Sequence, residues 1–472
     1  MNLDLDLHPK QGEAFLSPAT EILYGGAAGG GKSHLMRVAA IAWCAAVPGL
    51  QVYLFRRTFP DLMKNHMNGP GSLPMLLARW ITAGLAKVNR SDNFISFFNG
   101  SKIFLCHCQY ESSVTKYQGA EMHVLLIDEL THFSRTTYTF LRSRVRLGGL
   151  FIPDEHKDRF PRIILGSNPG GIGHNWVKAD FVDPAPALEI RKMPKIEGGM
   201  LRQFVPARVE DNPTLMRNDP GYLERLEGLG DPGLVRAMRR GEWDIVAGGL
   251  FDDLWNPECH VLKSFQVPDT WRIDRSFDWG SSRPFSVGWW AESDGSEFRL
   301  ADGSNRTFQR GTLIRIGEWY GWNGRPNEGC RALASDIAKG ILEKEIDMNV
   351  SVHPGPADSS IFDAVNGNSI GDEMAKHGVR WVPADKSPGT RKAGWEMMRK
   401  MLKAASERRP ESPGLYVFDT CRHFIRTVPT LPRYSRDPDD ADTNAEDHVA
   451  DEVRYRVLNK RRAIQTLKLQ GS

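Results

Sequence analysis

Gly26-Ala27-Ala28-Gly29-Gly30-Gly31-Lys32-Ser33 is the stretch on which the reading of this chain turns. It fits G-x-x-x-x-G-K-[ST], the phosphate-loop pattern. An apolar run, Ile22-Leu23-Tyr24, leads in as a strand, and Leu35 to Ala46 leads out as a helix. The chemistry needs that context. Glycines let backbone N–H groups curl around a triphosphate, the following helix presents its positive end, and Lys32 adds a point charge. Ser33 is placed to hold Mg²⁺ through its hydroxyl. The stretch therefore predicts a nucleoside triphosphate site on an α/β scaffold.

Working outward, residues 20 to 168 alternate between strand-like and helix-like segments, which predicts a mostly parallel sheet. Gln51 to Phe55, Val124 to Ile127 and Arg162 to Gly166 are short apolar runs of the kind expected for buried parallel strands. Asn99-Gly100 separates two β-rich runs, Phe94 to Phe98 and Lys102 to Cys106, and predicts a hairpin. From 169 to about 260 the rhythm is lost. Pro and Gly are dense there, with short helical patterns at Tyr222 to Leu229 and Leu234 to Arg240. A second α/β domain is predicted from about 262. Its strands are Phe285 to Ala291, Thr312 to Tyr320 and Asn349 to His353. Its helices are Cys330 to Lys344, Lys392 to Glu407 and Asp447 to Lys460. Asp437 to Asp442 reads as a solvated acidic loop. The expected division is 1–197, 198–261 (a lid or connector), 262–460 and a basic tail 461–472.

At 472 residues there is length for two or three domains with real cores. No apolar run approaches the roughly 20 residues that span a bilayer, and the N-terminus has no signal-like core, so a cytoplasmic protein is expected. The six cysteines form no C-x-x-C pair, which argues against a zinc site or a disulfide framework. Net charge is only +3, so nucleic-acid contact must come from local patches.

Two sets of acids carry the chemistry. Asp128-Glu129 ends the apolar strand Val124 to Ile127. There, Asp128 is placed to hold Mg²⁺ and Glu129 to orient and deprotonate an attacking water. Asn168, after the next strand, is placed to touch the γ-phosphate or the water. Gln11 is a candidate for the adenine edge. Arg56, Arg57, Arg142, Arg144 and Arg146 are candidates for a transition-state cation. In the second domain, Asp278 lies on a first strand, Asp358 after a later strand, and Asp447 and Asp451 share a face of the last helix. In a ribonuclease H-like fold those positions converge, and such carboxylates hold two divalent ions that clamp a phosphodiester. Either Asp447 or Asp451 fits the third position. Lys386, Arg391, Lys392, Arg399, Lys400, Lys403, Arg408 and Arg409 crowd the intervening stretch, either as a solvated helix face or as a track for DNA phosphates.

Together these stretches resemble the large terminase subunits of tailed bacteriophages. The resemblance runs through Leu7-His8-Pro9-Lys10-Gln11, Gly25 to Ser33, Tyr117-Gln118-Gly119-Ala120, Leu126 to Glu129 and Gly166 to Gly170. It continues in Glu210 to Pro213, Gly241 to Asp244, Phe277 to Gly280 and Asp447 to Tyr455. It implies an α/β P-loop NTPase of the ASCE type followed by a ribonuclease H-like nuclease. It further implies ATP and Mg²⁺ as cofactors, with Mn²⁺ able to replace Mg²⁺ at the nuclease. Residues Gly26 to Ser33, Gln11, Asp128 and Asn168 would bind nucleotide. Glu129 would activate water, and Asp278, Asp358 and Asp451, with Asp447 as alternative, would hold the nuclease metals. Implied partners are double-stranded DNA, a portal protein, a small terminase subunit and further copies in a ring, expected to be a pentamer, in the host cytoplasm without a membrane. A ring is expected because one ATPase site cannot hold DNA through its own reset. A helicase-nuclease would need further helicase motifs, and a non-catalytic DNA-binding adaptor would not need Lys32, Ser33, Asp128 and Glu129.

Overall fold

The computed structural model describes residues 3, 5–229, 235–243, 249–300, 302–364, 367–407, 411–434 and 436–459. The basic tail 461–472, Arg408 and Arg409 lie outside the described residues. The chain forms two compact units, Met1–Gly248 and Gly249–Ser472.

In the first unit the strands are β1 (Glu21–Gly26), β2 (Gln51–Arg56), β3 (Ala86–Asn89), β4 (Phe94–Phe97), β5 (Lys102–His107), β6 (Val124–Asp128), β7 (Arg162–Ser167), β8 (Ile190–Lys192) and β9 (Leu201–Ala207). They form one nine-stranded sheet in the order β3-β4-β5-β2-β6-β7-β1-β9-β8. The run from β5 to β9 is parallel, and β3, β4 and β8 add antiparallel edges. The central strands are apolar throughout because both faces are covered. Ile22, Tyr24, Val124, Leu126 and Ile164 face one core with Leu35, Met36 and Trp43 of the helix Lys32–Ala46. Leu23, Leu125, Ile127, Ile163 and Leu165 face another core with Tyr138 and Trp176. Each fully buried Leu or Ile adds about 1.5–3 kcal/mol, so a register slip in these strands is strongly disfavoured. The hairpin forms at Asn99-Gly100, with Phe97 N–H donating to Ser101 O at 3.0 Å and Gly100 at φ +83°.

In the second unit the strands are β10 (Val261–Leu262), β11 (Arg272–Asp278), β12 (Ser286–Glu292), β13 (Phe298–Arg299), β14 (Asn305–Arg306), β15 (Leu313–Tyr320), β16 (Pro356–Ala357), β17 (Val382–Pro383), β18 (Leu415–Phe418), β19 (Arg433–Tyr434) and β20 (Asp437–Ala441). The main sheet runs β10-β18-β15-β12-β11-β16-β17. β15, β12 and β11 are antiparallel, and β16 returns parallel to β11. This is the ribonuclease H-like order, with its first strand between a meander and a parallel crossover. The helix His448–Leu458 lies over β11 and β12. It is anchored by a fully buried carboxylate: Glu452 accepts from Arg315, Ser276 and Ser286 and, at 3.1 Å, from Trp290 Nε1.

Several expectations are corrected. Residues 201–207, expected in a connector, form β9 and pair with β1 along its length, because Val205 and Ala207 bury into the first core. The strand expected at 349–353 is reduced to a bridge from His353 to Asp274, and the ladder is the short β16. Pro354 and Pro356 supply no N–H there. The helix expected from Cys330 begins only at Ala334, since Cys330 N–H is taken by Gly321 O. The helix that carries Arg142 runs Arg135–Arg142, and Val145 beyond it bridges Met122. The acidic segment 437–442 is no solvated loop. Most of it is β20, paired with β19 and tied to the helix Thr390–Ser406 through Lys392–Asp437 and Arg391–Asp440.

Candidate active sites

The first site lies where β6, β7 and β1 end side by side. β1 runs into the glycine loop, β6 ends at Asp128, and β7, between them, ends at Ser167 before Asn168. The loop reverses sharply, with Gly29 at φ +76° and Gly31 at φ +78°, values that favour glycine. Gln11 Nε2 donates to Gly31 O at 2.9 Å, and Tyr24 OH to Gly30 O at 2.9 Å, so both hold the back of the loop. Lys32 is buried. Its ammonium donates to Ala27 O at 2.7 Å and to Asn168 Oδ1. Burial lowers its pKa, against the charges of Glu129 and Asp128.

Asp128 is fully buried, and its two oxygens are treated unequally. Oδ2 accepts from Ser33 Oγ at 3.2 Å and contacts His66 Nε2 at 3.0 Å, with Arg56 Nε at 3.2 Å. Oδ1 has no hydrogen-bond partner. Burial alone would raise this carboxyl. The hydrogen bond and charge of His66, with Arg56 and Lys32, instead bring it down to about 2. Glu129 follows in left-handed backbone at φ +59°, with Arg56 3.7 Å from its carboxylate. A non-glycine residue held there is strained, and such strain clusters at functional sites. Thr131 N–H donates to Ser167 Oγ at 3.1 Å and Thr131 Oγ1 to Asn168 O at 3.2 Å, linking the turn after β6 to the end of β7.

A further segment of the same unit sits on the loop. Ala28 N–H donates to Met238 O at 2.7 Å and Asn212 Nδ2 to Gly29 O at 2.7 Å. Trp243 stacks on His174 at 5.5 Å. Among the candidate arginines, Arg142 is committed elsewhere, 3.3 Å from the buried Glu21, which also takes Tyr138 OH at 2.7 Å and Arg202 Nε at 2.8 Å. Arg144 donates to Gln118 O, and Arg146 lies 3.8 Å from Glu121. His66 was not singled out by sequence: it has no motif around it, and only the fold carries it to Asp128.

The second site is built on adjacent strand ends. Phe277 pairs with Ala357, and Asp358 N–H donates to Phe277 O at 2.9 Å, so Asp278 and Asp358 leave the sheet together. The last helix approaches the same end. His448 Nδ1 is 3.3 Å and Tyr455 OH 3.4 Å from the Asp278 carboxylate. Asp447 stands at the N-cap position of that helix without a side-chain capping bond, and Asp451 lies one turn in. Arg391 bridges them, at 3.5 and 3.3 Å, and Arg454 Nε donates to Asp451 at 2.9 Å. Lys386 pairs with Asp358, whose Oδ1 also accepts Ser360 N–H at 2.8 Å.

The acids feel one another. Burial, with Asp451 and Asp358 adding to it, raises Asp278 to about 6 against the pull of His448. Burial and then Asp451 raise Asp447 to about 7. Asp358, though burial pushes it up, is held below the usual range by Lys386 and the Ser360 N–H. The oxygen-only donor set suits Mg²⁺ or Mn²⁺. Among the described residues, however, no three His, Cys, Asp or Glu side chains close into a metal cage. Lys386 and Arg391 are the counter-ions of these acids. In the helix Thr390–Ser406, Arg391 and Arg399 pair with acids, Arg399 with Asp253, while Lys392, Lys400 and Lys403 stay exposed.

A phosphate-loop NTPase with an extra strand between its loop strand and its acidic strand, followed by a ribonuclease H-like unit with acids at its strand ends, defines the class. Residues 18–222 match the family model described as phage terminase large subunit. No curated protein matches the chain. Among solved structures, the large terminase of the thermophilic bacteriophage D6E in complex with ADP is 16% identical, covering 96% of this chain and 98% of that one, with a TM-score of 0.40. The HK97 bacteriophage large terminase is 10% identical over 97% and 95%, with a TM-score of 0.44. The P22 large terminase nuclease domain is 14% identical over 44% and 90%, with a TM-score of 0.31. Among the described residues no helix is long and apolar enough to cross a membrane.

Proposed function

We propose that the chain is the motor and nuclease of phage DNA packaging: the first unit hydrolyses ATP to move double-stranded DNA, and the second cuts it. The observation that carries the reading is the meeting of Lys32, Ser33, Asp128 and Asn168 at three neighbouring strand ends. Lys32 and the loop N–H groups would receive the phosphates, and Gln11, hydrogen-bonded to Gly31 O, would read the adenine edge. Ser33 and Asp128 would hold Mg²⁺, which when bound neutralises charge building on the phosphates. Glu129 orients the attacking water and takes its proton. Asn168, hydrogen-bonded to Lys32, senses the terminal phosphate.

In the second unit, Asp278, Asp358 and Asp451, with Asp447 beside them, would hold two Mg²⁺ or Mn²⁺ ions. Bound ions activate a water and stabilise the leaving oxygen of a phosphodiester. His448 and Tyr455 orient the Asp278 carboxylate. The further partners are a portal, a small terminase subunit and other copies of the chain in a ring.

Two variants test the pair of sites. Glu129→Gln should bind ATP as the parent does and lose turnover by about 10²–10⁴-fold. Asp278→Asn should abolish Mn²⁺-dependent plasmid cleavage while ATP hydrolysis persists. Unchanged hydrolysis in the first variant, or joint loss of both activities in either, defeats the two-site reading.

A further inference from the structure

We infer that His66 is a positioning residue of the ATPase site, holding one oxygen of Asp128 so that the other is presented to the nucleotide-bound metal. The inference rests on the reading of the first unit as an ATPase. His66 lies in the single helical turn Met63–Met67 and is fully buried. Arg37 NH1 donates to the neighbouring Asn65 O at 2.9 Å, and Asn65 Nδ2 to Asp61 O at 2.7 Å, so the turn is fixed on both sides.

The ring makes one hydrogen bond, from Nε2 to Asp128 Oδ2 at 3.0 Å, and Nδ1 is buried with no partner. Leaving a buried polar atom unpaired costs about 1–3 kcal/mol. An apolar side chain of similar volume would avoid that cost, so packing alone does not account for an imidazole here. What it does provide is direction. Asp128 Oδ2 is saturated by His66, Ser33 and the Arg56 charge, whereas Oδ1 remains buried without a hydrogen bond. The Arg56 Nε contact at 3.2 Å is a charge contact, not a directed hydrogen bond. His66 and Ser33 are therefore the groups that set the rotation of the carboxylate, and Ser33 is itself assigned to the metal. Side chains that orient a metal-binding carboxylate typically change metal affinity or activity by about 10–100-fold when lost.

The experiment uses the full chain with His66→Leu, which keeps the volume, and His66→Gln, whose amide nitrogen reaches the place of Nε2. Mn²⁺ binding in the presence of ATPγS is read by EPR, the Mg²⁺ dependence of ATP turnover by phosphate release, and mant-ATP affinity in EDTA by fluorescence. His66→Leu should weaken Mn²⁺ binding and raise the half-saturating Mg²⁺ about tenfold or more. Metal-free mant-ATP affinity should stay at the parent value. His66→Gln should recover most of the metal affinity. Parent-like Mn²⁺ binding in His66→Leu, equal loss of metal-free nucleotide binding, or no recovery in His66→Gln would overturn the assignment. Should His66→Leu fail to fold, His66→Gln decides, since loss of its metal affinity would also overturn it. A parent chain that neither binds nor hydrolyses ATP would instead defeat the ATPase reading itself.

Discussion

The two units place charge in opposite ways. In the first, one buried carboxylate, Asp128, is surrounded by cations and a hydroxyl and is held ionised far below its ordinary range. In the second, several acids crowd one strand end, and Asp278 and Asp447 are pushed up towards neutrality. In the first site the acid is compensated by Arg56, Lys32 and His66. The second is frustrated, its acids borrowing Lys386, Arg391 and His448 as counter-ions. Like charges gathered in this way disfavour the compact state.

The contrast is most sharply tested by removing the cation that completes the first site. Lys32→Ala should lower ATP turnover by about 10³-fold or more, the scale on which a phosphate-contacting cation acts. Steady-state phosphate release checks this, with plasmid cleavage by the second unit unchanged.

Next in size is the buried pair that seats the last helix. Arg315 and Glu452 are both fully buried. Arg315→Met leaves the Glu452 charge without its cation and should destabilise the second unit by about 3–5 kcal/mol. Denaturant unfolding followed by Trp fluorescence measures it. A loss below about 1 kcal/mol would mean the helix is held by its apolar face alone.

Smaller is the effect expected at Gly241. Its φ is +67°, and an added Cβ would lie 2.6 Å from the Gly26 carbonyl carbon and 2.7 Å from Ala27 N. Gly241→Ala should push the 235–243 segment off the phosphate loop, at a strain of about 1–3 kcal/mol. ATP KM should change with the nuclease unaffected.

The smallest effect separates the two kinds of electrostatics. Asp447 binds its proton more tightly folded than unfolded, with a folded value of about 7 against the ordinary 3.8. Its ionisation therefore opposes folding above about pH 7, and that penalty fades as pH falls towards 4. In EDTA at pH 8, Asp447→Asn should raise the melting temperature of the second unit by about 2–4 °C. At pH 4 the difference should vanish, and excess Mn²⁺ should reverse it by favouring the parent. A variant less stable than the parent at pH 8 in EDTA would show that Arg391 fully compensates the crowding.

The composition of the phosphate loop, the buried strand ending in Asp128-Glu129 and the Asn99-Gly100 hairpin were legible because each is a local rule. Glycine dihedrals, two-sided burial and turn chemistry act over a few residues and leave contiguous marks. The same holds for the order of acids in the second unit, since alternation of strands and helices along the chain maps onto a known sheet order. Only the tertiary structure decided who meets whom. His66 reaches Asp128 across 62 positions, and Arg391 lies between Asp447 and Asp451 instead of facing solvent. β9 joins the sheet from a stretch without strand rhythm, and Asp437–Ala441 packs as a strand despite its acids. Those outcomes come from burial and charge pairing between distant segments, which no local pattern encodes.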